Sequence, residues 1–162
     1  LVDFIEAKKK RILSILTELE LKQKLAKEKQ EAEIFEGVKG LMNMLYLFIE
    51  DSKKGDIFRF FSINVKGMNK DIQRFFEKYD LIRQEKGLIV KGLAPEELKP
   101  LYEHRKTLKM KYPKFPIPSG ISFFRDKIAL ISWEEKPIGY LIKSQQITDM
   151  QKKFFDHVWE TS

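Results

Sequence analysis

The chain has 162 residues, 31 basic and 24 acidic side chains, a formal charge of +7, thirteen phenylalanines and no cysteine. That is enough chain for one domain with a sizeable core and an appendage; it leaves no disulfide or thiolate metal site, no signal peptide and no run near the ~18–20 apolar residues of a membrane span. The positive balance suits an anionic partner or plain solubility, but no basic run is long or interleaved with aromatics, which argues against nucleic-acid contact by this chain's own surface. A cytoplasmic protein is expected.

Residues 1–31 are predicted to be one long helix, because they contain no Gly or Pro and are rich in Lys, Glu and Leu. Ile5, Ile12, Leu19 and Ala26 fall seven apart, and Ile15 fills one alternate core position; Lys8 and Lys22 occupy the others. The pattern predicts a weak heptad and a homodimer held through Ile5, Ile12, Ile15, Leu19 and Ala26. Burying four of these side chains would contribute ~6–12 kcal/mol, against ~4–15 kcal/mol for association. The helix is therefore expected to dimerise with help from a neighbouring domain; the alternative is a helix lying on its own domain.

Residues 32–162 are expected to form an α/β domain. Ala32–Glu36 reads as a short strand, and Gly37-Val38-Lys39-Gly40 turns into an amphipathic helix ending near Ser52. Asp56–Ile63 (DIFRFFSI) is a second, buried strand. A helix over 69–86 carries Ile72, Phe75, Phe76, Tyr79 and Ile82 on one face, and Leu88–Val90 is a third strand. Gly92–Pro95 is expected to open another helix that Pro100 kinks or splits, and Lys99–Lys114 is the most basic region. Tyr112–Gly120 is an extended loop. Three short apolar runs follow, Ile121–Phe124, Ile128–Trp133 and Ile138–Ile142, separated by Arg125-Asp126-Lys127 and Glu134-Glu135-Lys136-Pro137; they predict an antiparallel meander. The middle run is apolar on both faces, so it is expected to lie in a covered sheet. A last helix, capped by Ser144, carries a stripe of Ile147, Met150, Phe154, Phe155 and Val158. Strands alternating with helices predict a mixed, mainly parallel sheet with flanking helices.

Catalytic chemistry is thin. His104, placed in a basic helix, and His157, on the polar side of the last helix, have no evident orienting carboxylate. There is no G-x-S-x-G, Walker A or G-x-G-x-x-G pattern. Glu134 and Glu135 are neighbours on one joint, whereas paired acid/base work needs carboxylates that converge across a cleft. No catalytic residue, metal ligand or cofactor is expected.

The ordered segments AEIFEGVKGL, KKGDIFRFFSI and FFRDKIALISWEEKPIGYLIKSQQITDMQKKFFDHVW, preceded by a Lys/Glu-rich helix, resemble the TrmB family of archaeal transcription regulators. The resemblance implies a coiled-coil linker (1–31) and a phospholipase D-like regulatory domain (32–162). It also implies that DNA is bound by a winged helix-turn-helix ahead of Leu1 and outside this chain, as is the domain in which sugar-responsive members hold their ligand. Placing the aspartate of the phospholipase D signature on Asp126 puts Ser119 in the histidine position and Ile121 in the lysine position. A scaffold without catalysis is implied. Its effector, a small molecule, would bind beyond the carboxyl ends of the strands, where Ser62, Asn64, Ser119 and Ser122 are the candidate residues. A protein-interaction module with no small ligand is the alternative.

Overall fold

An unbroken run of good helix formers carries a single helix, α1 (Val2–Lys27), with Asp3 complementing the dipole in its first turn. The structure, a computed structural model, describes residues 1–27, 30–63 and 70–162, with the side chains of 25–27 outside the description. It divides into two compact units, Leu1–Gln30 and Glu31–Ser162.

In the second unit the elements are β1 (Glu31–Glu36), α2 (Gly37–Phe48), β2 (Ile57–Phe61), α3 (Lys70–Glu85) and β3 (Ile89–Leu93). A 3-10 turn (Glu96–Leu98) runs into α4 (Lys99–Tyr102), followed by β4 (Leu108–Lys111), β5 (Ile121–Phe124), β6 (Lys127–Ser132), β7 (Ile138–Lys143) and α5 (Gln145–Thr161). The seven strands form one sheet in the order β1-β7-β6-β5-β2-β3-β4.

The expectation of a mainly parallel sheet is corrected. Only β2–β3 and β3–β4 run parallel; β1–β7, β7–β6, β6–β5 and β5–β2 are antiparallel. The reason is where β1 goes. Its helix α2 does not return the chain to a neighbouring strand; β1 instead pairs with β7, Ile34 opposite Tyr140, and so closes the far side of the meander.

Three local expectations change as well. The basic region is helical only over α4, and its Leu108–Lys111 stretch is strand β4, with Leu108 buried and Lys109 exposed. At Pro100 the helical stretch is divided and not kinked: the 3-10 turn ends at Leu98, and Pro100 stands in the first turn of α4, where its missing N–H costs nothing. His104 follows that helix in a turn. Finally, Lys127 belongs to β6 and is buried, its ammonium 2.7 Å from the Asp51 carboxylate.

The middle strand behaves as its double-sided pattern predicts. Ala129 and Ile131 of β6 face a core shared with α2 and α3, which includes Met44, Phe48, Phe58, Phe75, Tyr79 and Phe124. Ile128 and Leu130 face the other core, built around Phe61, Phe123 and Phe155 of α5. Ser144 caps α5 as expected, accepting the Ile147 amide at 3.3 Å. The α5 stripe is only half used: Phe155 and Val158 are buried, joined by Thr148, whereas Ile147, Met150 and Phe154 are exposed. Phe154 does touch Phe61, with ring centroids 6.2 Å apart.

Candidate functional site

Helix α3 builds the site. Its inward face carries Ile72, Phe75 and Tyr79, and with them, against the usual pattern, the buried charges Asp80 and Arg83. Asp80 accepts from Arg83 Nη2 at 2.5 Å, and from Arg105 Nε and Nη2 at 2.7 and 2.8 Å. One carboxylate thus holds two guanidinium groups. Arg83 lies against the rings of Phe58 and Tyr79, 4.7 and 4.6 Å from their centroids. Arg105 sits beside Tyr102 and Phe76, at 5.2 and 5.8 Å. These distances allow cation–π attraction, which is stronger where water is excluded.

Burial sets the electrostatics. It lowers the Arg83 pKa below the ordinary arginine value, with Tyr79 and Asp80 acting in the opposite sense. It raises the Tyr79 phenol far above its normal range, and the Tyr79 hydroxyl donates to the Leu45 carbonyl at 2.9 Å. Burial raises Tyr102 too, against the pull of Arg105 and of the Ser62 hydroxyl. Ser62 is 2% exposed, yet its Oγ makes no well-formed hydrogen bond among the described residues, and neither does Arg83 Nε.

Two connected hollows lie here. An inner cavity of about 60 Å³ is lined by Phe58, Phe60, Tyr79, Arg83, Tyr102, Arg105 and Ser122, among others. An outer cleft of about 340 Å³ between α3 and α4 is bounded by Gln73, Glu77, Leu101 and His104. Ile63, Phe76, Tyr102 and Arg105 line both.

The sequence-predicted effector residues separate. Ser62 and Ser122 are buried on this side of the sheet, Ser122 in the wall of the inner cavity. Ser119 is exposed, donates to the Ser62 carbonyl at 3.1 Å, and borders a different, open cleft with Trp133, Glu134 and Glu135. Asn64 lies outside the described residues. Asp126 is in the β5–β6 turn, at the opposite end of β5 from Ser119, and its carbonyl accepts the Ser144 amide. Asp80, Arg83, Tyr102 and Arg105 were not anticipated. Arg83 left a trace in the sequence: at helical period it falls in the middle of the α3 apolar stripe, between the positions of Tyr79 and Phe76.

The predicted dimer residues lie along α1. Ile5, Ile12, Ile15 and Leu19 are each 52–58% exposed; the Ala26 side chain is outside the description. Phe4 and Leu16, also exposed, fall on the same side at helical period and widen the stripe. Among the described residues no group of His, Asp and Glu could hold a metal ion, and no helix is long and apolar enough to cross a membrane.

No protein-family model matches the chain, and no curated protein matches it in sequence. Solved structures do share the fold. TrmBL2, an archaeal chromatin protein reported to show a novel mode of DNA binding, is similar over 98% of this chain and 62% of its own length, with a TM-score of 0.59 and 16% identity. NucT from Helicobacter pylori is similar over 82% of this chain and 97% of its own, at a TM-score of 0.56 and 12% identity. The phosphatidylserine synthase of Haemophilus influenzae Rd KW20 is similar over 77% and 36%, at 0.52 and 12%. At these identities the likeness establishes a shared α/β fold and nothing finer. This chain spans less than two thirds of TrmBL2.

Proposed function

We propose that this chain is the dimerising regulatory part of a TrmB-like transcription regulator of the cytoplasm. In this reading α1 pairs with a second copy, the phospholipase D-like α/β unit takes a small effector, and DNA is read by a winged helix outside the chain. The chain carries no catalysis of its own. The observation that carries the proposal is the apolar stripe of α1, half-exposed at every described position, in a chain whose fold is shared with TrmBL2 across 98% of its length. Effector binding would act by favouring one arrangement of the paired helices over another, which requires different affinity for the two.

A second reading, an interaction module with no small ligand, draws on the edge strand β1. There Ile34, 62% exposed, stands opposite the part-exposed Tyr140 of β7. Thermal unfolding of the chain against a panel of sugars, nucleotides, phosphates and small carboxylates separates the two. A saturable rise in Tm with one ligand class is the expected result; an unchanged Tm throughout leaves only the interaction module.

A further inference from the structure

Asp80 is shared by the buried Arg83 and by Arg105, whose side chain is 23% exposed, so the cluster carries one positive charge more than it neutralises. Burying an unmatched cation is expensive unless an anion completes it. Arg83, 3% exposed, lines the inner cavity and has an Nε–H without a partner among the described residues. Ser62, whose hydroxyl acts on the Tyr102 phenol, is buried on the same side of the sheet, and Ser122 stands in the cavity wall. The acid at the mouth, Glu77, is exposed to solvent.

The remaining walls set the shape. Phe58, Phe60, Phe76, Tyr79 and Tyr102 surround the arginines with flat apolar faces. An inner cavity of about 60 Å³ holds a few atoms, since one water needs roughly 10–15 Å³ of such space. The outer cleft of about 340 Å³ is within the range of small-molecule sites, roughly 300–1,000 Å³.

We infer that this hollow is a binding site for a small monocarboxylic acid with a flat apolar body: the carboxylate enters the inner cavity and accepts from Arg83 Nε, and the body lies in the outer cleft against Phe76 and Tyr102. The inference rests on the effector-sensing reading and supplies its ligand class and its site. Hydrogen bonds donated to an ionised acceptor are the strong ones, and a site with buried unpaired donors rejects analogues that cannot satisfy them.

The test uses the whole chain, benzoate as the probe and benzamide as its uncharged counterpart, read by the arginine side-chain N–H resonances in nitrogen-15 NMR. Benzoate is expected to shift the Arg83 Nε–H signal saturably and to bind about tenfold or more tightly than benzamide. Ser122→Val, which fills the cavity and leaves the ion cluster intact, is expected to weaken benzoate about tenfold or more with little change in the Tm of the free protein. A benzoate-insensitive Arg83 signal overturns the inference. If sugars or nucleotides still raise the Tm in that case, the sensing reading survives and only the ligand class falls; if nothing does, both fall. Equal benzoate binding by Ser122→Val overturns the assigned site.

Discussion

Asp80 holds Arg83 and Arg105 together across 25 residues of sequence, so removing its carboxylate strands two cations at once. Breaking a buried pair typically costs ~3–5 kcal/mol, and Asp80→Ala is expected to lower the urea-derived stability by about that much. A loss no greater than that of an ordinary exposed aspartate would mean that the cluster is solvated. The buried phenols give a second residue-scale prediction. Burial raises both Tyr79 and Tyr102, so the neutral form is favoured in the fold. Their contribution is complete below the unfolded tyrosine value, near ~10, and is lost as pH rises toward the folded values. In an alkaline titration followed at 295 nm, part of the tyrosine absorbance should therefore appear late, together with loss of the native circular dichroism. Smooth ionisation of all five tyrosines in a still-folded chain would contradict it. In the sequence, Arg83 left the trace of a charge inside an apolar stripe, but Arg105, the distant partner of Asp80, sat in the basic region with nothing to single it out. Nothing local marks a long-range ion pair.

Among the elements, those with a strong period were legible. The three meander strands, α2, α3, the double-sided burial of β6 and the Ser144 cap all follow from short-range pattern and turn chemistry. Replacing the cap with Ser144→Ala should cost ~1 kcal/mol, measured by thermal unfolding. Strand β4 was missed because four residues, two of them lysines, give a period of two almost no length to show itself. Strand direction was missed for a different reason: alternation of strands and helices does not say which strand becomes a neighbour, and β1 finds β7 at the other end of the unit. One glycine fixes how the central strands meet. Gly120 has φ +72, its amide donates to the Ser62 carbonyl, its own carbonyl accepts the Ile131 amide, and an added Cβ would overlap the Ile131 carbonyl oxygen. Left-handed strain of ~1–2 kcal/mol together with an overpacking cost of ~1–3 kcal/mol predicts that Gly120→Ala loses about 2–5 kcal/mol. An unchanged denaturation midpoint would show that the β2–β5–β6 junction is more tolerant than its geometry implies.

At the scale of the molecule, the account turns on what the first unit does. Six exposed apolar side chains, Phe4, Ile5, Ile12, Ile15, Leu16 and Leu19, lie on one side of α1. Because each is already about half covered, pairing can add only about half the usual ~1.5–3 kcal/mol per side chain. Two helices then contribute about 9–18 kcal/mol, against an association cost of ~4–15 kcal/mol. Recognition of Phe4 and Leu16 is what moves the balance toward a stable pair; the heptad positions alone, interrupted by Lys8 and Lys22, left it even. The apolar seam of α1 was thus partly legible, while its width emerged only from helical geometry and exposure together. The decisive measurement is sedimentation equilibrium of the whole chain beside the variant Ile12→Asp with Leu19→Asp. The account predicts twice the 19.3 kDa chain mass for the unaltered chain at micromolar concentration, and a folded species of single mass for the variant. A single-chain mass for the unaltered protein at high micromolar concentration would contradict it.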